Sequence, residues 1–539
     1  MQTDHRFRNL IDTVSAKIRT PSFRRGIRTA SVALIVAVFA VGTALGVYSL
    51  AAYCPIRLYV ETGKTAQTLE GFGASSAWTF QQLGATGTPD ARSGAVDLLY
   101  GESGLELSIF RYNIGAGSAE TRFDNVLPYS NDWFDKARRA ESFFVAETYR
   151  TDADFADPDN YDFETRDVAV QQMFKASLAT GNIRRVVFFA NSPHYLMTKS
   201  GTCTGREVQQ DNLKESSYEA FADYLLIIVG ALYRKHLADL PVVPEVYISP
   251  INEPQWDWGG DGASQEGCHY DPEPLAAFYD VFYRKLTAWN AAHGTDFRLD
   301  AFESGNYKKY VTRDDYRDYL DAMSRYDYFD KIDTLSFHAY GAEDSLYHRK
   351  QFSRFMDSHY PDFKVSSTEF CELQWGRFDT MESGLYLGKV ILRDLTMIDA
   401  VDWSWWLAVS TGDYNDGLVY WDTAKDGTQS LSVLKRYYVM GHFTKWLSAG
   451  DVRVATGSSD VTGWSGIDFG AFLKPDGTLV LIFLNDGAER TVRLSGLEGN
   501  RTGTRILTTQ NVTWEESAFV LSDTITLPAD SAMTVLLNP

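Results

Sequence analysis

The chain is short of cysteine and of positive charge, and each shortage excludes a class of function. Four cysteines, Cys54, Cys203, Cys268 and Cys371, are too few for a disulfide scaffold in 539 residues. A Cys203–Cys268 bridge between neighbouring loops, leaving Cys371 free, is one of the pairings open to them, and spacing alone fixes no connectivity. Glu266, Cys268, His269, Cys371 and Glu372 match no common zinc spacing, so no metal site is expected. Lys and Arg number 51 against 71 Asp and Glu, a net charge of −20. That balance argues against nucleic acid and anionic polymers as partners and suits a neutral substrate. A phosphate-binding loop is missing as well. Gly71-Phe72-Gly73 lacks the third glycine and the helix that would give it meaning. There is no internal repeat and no low-complexity tract.

Aromatic residues are plentiful at 14%, with 13 Trp and 30 Tyr, and hydrophobic residues reach 44%. This allows one large domain and a smaller one. Aromatic rings stack on the apolar faces of sugars, so the surplus leans toward carbohydrate binding, although large cores use aromatics too. Residues 1–28 form a basic tail with seven Lys or Arg against two Asp. Residues 29–53 follow as an anchor or signal segment, uncharged from Ala30 to Tyr53. That length spans a bilayer, and the basic flank places the N-terminus in the cytoplasm with everything after it exported. The protein is therefore expected on the outer side of the cell membrane, or secreted if the segment is cleaved. Tyr53 stands where a lipoprotein box needs a small residue, so lipidation at Cys54 is not expected.

Eight apolar runs follow, rich in Val, Ile and aromatic residues. They are Glu70–Ala74, Leu107–Asn113, Arg185–Asn191, Val246–Ser249, Phe297–Glu303, Ile332–His338, Lys364–Phe370 and Val401–Trp406. Between several of them the apolar spacing is helical, over 218–236, 275–293 and 381–398. Alternating strands and helices predict a (β/α)8 TIM barrel over 67–440, with an open doubly wound sheet as the other candidate. From 441 to 539 the texture becomes short strands punctuated by turns such as Lys474-Pro475-Asp476-Gly477, an antiparallel β-sandwich. Residues 54–66 are expected to add a strand to it. The acidic stretch 151–167 reads as a solvated insertion on the barrel rim.

Two runs end in a glutamate. Glu253 lies in Pro250-Ile251-Asn252-Glu253-Pro254 past the fourth, and Glu369 closes the seventh. A glutamate before a proline is, taken alone, more often a capping or solvated residue. In a barrel, however, both would emerge at the carboxyl ends of the strands, where such folds place their chemistry. Glycoside hydrolysis needs a pair of this kind, one acid to protonate the leaving oxygen and one carboxylate to attack or to activate water.

The pieces Gly71-Phe72-Gly73-Ala74-Ser75, Phe110-Arg111-Tyr112-Asn113-Ile114-Gly115, Asn191-Ser192-Pro193, Asn252-Glu253-Pro254, Ser336-Phe337-His338-Ala339-Tyr340, Ser367-Thr368-Glu369 and Trp403-Ser404-Trp405-Trp406, with Leu527-Pro528-Ala529-Asp530-Ser531 near the end, resemble glycoside hydrolase family 30 over residues 57–539. The resemblance implies a retaining enzyme without metal or cofactor, with Glu253 as acid/base and Glu369 as nucleophile. On this reading ionised Glu369 raises the pKa of Glu253 by like-charge repulsion. Asn252 would hold the sugar 2-hydroxyl, Arg111 would orient Glu369, and His338 and Tyr340 would flank it. Tyr195, Trp405, Trp78 and Trp256 are candidate substrate contacts, whereas Trp403 and Trp406 are expected in the core. Gln265-Glu266-Gly267-Cys268-His269, after Trp256-Asp257-Trp258, resembles the endo-β-1,6-galactanase subgroup, which cuts the β-1,6-galactan side chains of arabinogalactan proteins. Related subgroups cut β-1,6-glucan or glucuronoxylan, or act exo-wise on glucosides and fucosides; the acidic charge fits glucuronoxylan least. The contrasting expectation is a surface carbohydrate-binding protein with a dead site.

Overall fold

Strands form where branched and aromatic residues run continuously, and those buried on both faces lose the two-residue alternation of half-exposed strands. Both kinds occur in the structure, a computed structural model that describes residues 56–120, 138–205, 210–259, 265–308, 316–343, 345–460, 463, 465–497 and 501–539. The basic tail, the expected anchor and Cys54 lie outside these residues. Among the described residues, no helix is long and apolar enough to cross a membrane.

Strand β1 (Ile56–Thr68) belongs to the C-terminal sheet. Eight parallel strands then make a barrel: β2 (Gly71–Ser75), β3 (Ile109–Ile114), β4 (Arg185–Ala190), β5 (Glu245–Ser249), β6 (Phe297–Ser304), β7 (Thr334–His338), β8 (Lys364–Glu369) and β9 (Asp402–Ser410). They lie in sequence order and close through β8–β9 and β9–β2. This is the arrangement the eight apolar runs predict, not an open sheet. Strands β10 (Gly417–Thr423) and β11 (Gln429–Val433), which the sequence reading did not anticipate, extend the sheet beyond β9. The three foreseen helices run Tyr218–Leu232, Pro272–His293 and Met381–Met397, their apolar stripes turned to the barrel wall.

The remaining strands, β12 (Val452–Ser458), β13 (Ile467–Leu473), β14 (Leu479–Asn485), β15 (Arg490–Ser495), β16 (Thr502–Thr508), β17 (Glu515–Val520), β18 (Thr524–Leu527) and β19 (Ser531–Leu537), form a nine-stranded sheet with β1. The sheet is not wholly antiparallel: β1 runs parallel to β15 while pairing antiparallel with β12. Strand β14 is buried on both faces. Leu479, Leu481 and Phe483 fill the sandwich interior, and Val480, Ile482 and Leu484 join the core shared with the barrel helices. His442 ties the two parts further, its ring nitrogens 2.8 Å from the hydroxyls of Thr534 and Thr508.

The acidic stretch is not simply solvated. Phe155 is fully buried, stacked 4.0 Å from Phe144, and Asp167 accepts a hydrogen bond from the Tyr112 hydroxyl at 2.5 Å. Its apolar residues, masked by the surrounding charge in the sequence, pin the segment to the barrel.

Candidate active site

Parallel strands aim their carboxyl ends at one face, and three glutamates meet there. Glu369 is the last residue of β8, Glu303 lies near the end of β6, and Glu253 stands just past β5. Glu253 and Glu303 have left-handed backbones, φ 46° and 51°, and the amide of Glu253 donates to the carbonyl of Glu303 at 2.8 Å. Trp78 and Trp258 also have positive φ, 48° and 47°. For residues with a Cβ a positive φ costs about 1–3 kcal/mol each and persists only where the surroundings enforce it, a pattern concentrated at functional sites. Gly305 leaves the necessary space: a Cβ there would lie 2.2 Å from Trp256 Nε1 and 2.8 Å from Glu253 Oε1.

Two buried cations hold the carboxylates. Arg111 donates from Nη1 to Glu369 at 3.2 Å and from Nη2 to Glu303 at 3.1 Å, its guanidinium 4.4 Å from the Phe189 ring centroid. His338 faces Glu253 through Nδ1 at 2.9 Å and Glu303 through Nε2 at 2.6 Å, with Glu369 3.6 Å from Nδ1. The Tyr340 hydroxyl donates to Glu369 at 3.2 Å and the Thr368 hydroxyl to Glu303 at 2.5 Å. Arg111, His338 and Tyr340 thus gather around Glu369.

The electrostatics follow from this geometry. Burial opposes charge on His338, but the carboxylates of Glu369, Glu253 and Glu303 raise it to about 10. Burial also opposes charge on Glu303, yet Arg111 and His338 hold it down at about 2. Burial pushes Glu369 up to about 7 against the pull of His338 and Arg111, with Glu253 adding to the rise. The rise at Glu369 comes first from burial, and the neighbouring carboxylates of Glu253 and Glu303 add to it. Three carboxylates face two cations, and one exchangeable proton completes the balance. Glu253, His338 and Glu369 offer ligand atoms within 4.8 Å of one another, the spacing of a cation site. An imidazolium donating from both nitrogens has no lone pair for a metal, so the donor set fits proton chemistry better.

A cleft of about 300 Å³ opens over the glutamates, lined by Asn191, Asn252, Glu253, Trp256, Trp258, Gln265, Tyr340, Glu369, Leu373 and Trp406. Asn252 and Trp256, both candidate substrate contacts, are among these lining residues. Asn252 Oδ1 is buried without a hydrogen-bond partner. Trp405 does not reach the cleft: it is fully buried and donates its indole N–H to the Asp416 carbonyl at 2.6 Å. Trp406, expected in the core, is buried there and also lines the cleft. The register of β9 slips against β2 between Trp405 and Leu407, and this bulge redirects the intervening ring. Trp78 stands behind it, edge-on to Trp406 at 5.1 Å and 88°. Tyr195 is also buried, its hydroxyl 2.9 Å from Glu120, too enclosed for a stacking platform. Cys203, Cys268 and Cys371 are free buried thiols, not a bridge and a remainder. The Gly267 amide does bond the Cys203 carbonyl at 3.0 Å, but the Cys203 thiol points to the Ala116 carbonyl at 3.3 Å and Cys268 toward that of His269 at 3.6 Å.

The loop 265–269 shapes one cleft wall. Glu266 is fully enclosed, accepting from the amides of Ala116 and Ser118 and from the Ser118 hydroxyl at 2.5 Å. The absent side chain of Gly267 makes room for the Trp258 ring, which would lie 2.4 Å from a Cβ there. Trp258 in turn donates to the Glu253 carbonyl at 2.9 Å. Sequence reasoning missed Glu303, Trp406 and Trp258. Glu303 could have been found, since it too ends one of the eight apolar runs.

The sequence signature of O-glycosyl hydrolase family 30 matches residues 55–420, and that of the family's β-sandwich domain matches 450–535. The chain belongs to glycoside hydrolase family 30. It is 24% identical over 471 residues to an endo-β-1,6-galactanase of Hypocrea rufa, covering 83% of this chain and 85% of that one. An exo-β-1,6-galactobiohydrolase of Bifidobacterium longum is 27% identical over 277 residues, 42% of this chain and 18% of the relative. Among solved structures, a conserved exported protein of Bacteroides fragilis superposes with a TM-score of 0.74 at 21% identity, covering 89% of this chain and all of that one. A family 30 xylanase C catalytic domain of Talaromyces cellulolyticus gives 0.66 at 17% identity, covering 90% of this chain and all of that one. The protein is a glycoside hydrolase of this family.

Proposed function

We propose that this family 30 hydrolase is a retaining endo-β-1,6-galactanase acting on the galactan side chains of arabinogalactan. The observation that carries the retaining mechanism is the approach of Glu253 and Glu369, with oxygens within 4.8 Å of one another. Retaining pairs stand ~5–5.5 Å apart, whereas inverting pairs need ~6.5–9.5 Å to admit water between them. Glu369, with Arg111 and Tyr340 donating to it, is the better placed to hold charge and attack. Its oxygen bonds to the anomeric carbon as the bond to the leaving sugar breaks, and Glu253 gives its proton to the leaving oxygen. Glu253 then takes a proton from water, whose oxygen displaces Glu369 and frees the sugar. Asn252 bonds the 2-hydroxyl, and Trp406 and Trp256 supply apolar faces to the ring.

The substrate reading rests on the similarity to the Hypocrea rufa enzyme along most of both chains and on the 265–269 loop. A polymeric substrate fits export of the protein, with residues 29–53 as anchor or signal.

The full chain is incubated with de-arabinosylated arabinogalactan, a β-1,6-glucan and glucuronoxylan, and the products are separated by size. Short β-1,6-galacto-oligosaccharides of retained configuration from the first polymer alone are the expected result. Cleavage of the glucan alone would move the assignment to a β-1,6-glucanase, and single sugars released from chain ends would overturn the endo mode.

A further inference from the structure

The loop that follows the proposed nucleophile carries an apolar patch that folding does not explain. Leu373 is 65% exposed and lines the cleft, and Trp375, two positions further on, is 77% exposed, the most exposed large apolar side chain among the described residues. A tryptophan left in water is unfavourable, and a slack loop would fold it inward. This loop cannot. Its backbone pairs with the segment before β10: Asn415 N to Gln374 O at 2.8 Å, Gly376 N to Asp413 O at 3.0 Å, and Trp375 bridged to Tyr414. Arg377 clamps its far end with a two-pronged bond to Asp422 at 2.7 and 2.8 Å, its guanidinium 4.2 Å from the Tyr420 ring centroid. The Trp375 indole is set edge-to-face against Tyr414 at 5.3 Å and 89°, which fixes its direction without covering it. The ring is thus held out in one orientation, at most about 20 Å of chain from Glu369.

The geometry points to Trp375 as a distal subsite that stacks a neutral pyranose unit of the polysaccharide, beyond the sugars held over the catalytic glutamates. Continuity with the cleft through Leu373 identifies the occupant: a ligand long enough to pass from Glu369 across Leu373 arrives at Trp375. A neutral sugar presents the apolar ring face that an exposed indole matches, and the chain's acidic surplus disfavours an anionic alternative. The galactan identity of that sugar rests on the proposed function; the platform itself does not.

The test compares the wild-type full chain with Trp375→Ala and Trp375→Phe on two substrates, debranched β-1,6-galactan polymer and β-1,6-galactotriose. The readout is the ratio of kcat/KM on the polymer to kcat/KM on the trisaccharide. Trp375→Ala should lower that ratio about two- to tenfold, the worth of one aromatic stacking contact, through KM, with Trp375→Phe restoring part of it. An unchanged ratio overturns the subsite. An equal fall on both substrates also overturns it, because Trp375 would then be acting on Glu369 through the loop. If the wild type leaves galactan intact and cleaves β-1,6-glucan, the same ratio is taken with that polymer and its trisaccharide. A fall there keeps the platform while the galactan reading fails.

Discussion

The barrel interior holds a cluster of buried charges at each end, built from the same kinds of residue toward opposite results. At the bottom Arg185 donates to Asp402 at 2.6 Å and 3.3 Å to Glu245, pairs with Glu70, and lies 4.4 Å from the Tyr247 ring centroid. Lys364 and Arg298 supply further positive charge to the same acids. At the top, Arg111 and His338 face three carboxylates across a wall of strained backbone. Asp300 beneath them is driven well above the usual carboxylate range by burial, with Glu303 adding to the rise. The bottom cluster is matched in charge and reaches solvent through Glu245 and Lys364; the top one is short of a cation and opens into a cleft. A buried ion pair is therefore poor evidence of function by itself. Imbalance, strain and access together distinguish the end that does chemistry.

That contrast can be broken most forcefully at the top. Glu369→Gln and Glu253→Gln should each lower kcat on polymer by about 10²–10⁴ or more while far-ultraviolet circular dichroism and Tm stay near wild type. Full activity in both variants would sink the assignment. At the bottom, Arg185→Met strands Asp402 without its cation and leaves Glu70 only Lys364, and should cost about 3–5 kcal/mol in urea unfolding, with kcat per folded molecule little changed. A catalytic defect without lost stability there would erase the distinction between the two ends. Glu303→Gln acts inside the top cluster without reaching the sugar. It should cost about 10² in kcat/KM through misplacement of His338 and Glu253, and it removes an anion that keeps His338 charged. The alkaline limb of the pH–rate profile should therefore move to lower pH, whereas a purely structural loss would leave the limb in place.

The smallest effect concerns stability against pH. His338 is raised from its ordinary value to about 10, so its contribution is complete below about pH 6.5 and is lost as pH rises through about 10. Glu369, raised to about 7, acts in the same sense across pH 4.5 to 7, since its protonated form favours the fold. Glu303, held at about 2, contributes above about pH 4.5 and loses its contribution as pH falls through 2. The urea midpoint should decline from neutral pH toward 10, and His338→Gln should flatten that decline; a slope that survives the substitution would place its origin elsewhere.

Most of the barrel was readable because its strands are buried on both faces, and uninterrupted runs such as Arg185–Ala190 advertise that burial. The two strand-end glutamates could be read for the same reason, being polar residues placed where such runs stop. What misled was side-chain direction. Trp405 and Trp406 are neighbours of one type, and only the bulge in β9 decides which ring enters the cleft. Tyr195 turns its hydroxyl to Glu120 and Cys203 its thiol to the Ala116 carbonyl, directions set by loop geometry that residue type does not announce. In the sandwich, β17 with its weak alternation and the half-buried β12 escaped notice for want of a continuous apolar run.

Strand β1 carries a consequence for synthesis. Its partners lie near the other terminus, as in the bond from the Arg57 amide to Ser459 across 402 positions and that from the Ser495 hydroxyl to the Leu58 carbonyl across 437. At ~5–20 residues per second the ribosome takes roughly 20–80 s to deliver the first of them. Throughout that interval Ile56, Leu58 and Val60 remain an unclaimed apolar edge on the nascent chain, open to any strand or chaperone it meets. The sandwich thus cannot be completed until the barrel has been made, although its first strand precedes the barrel.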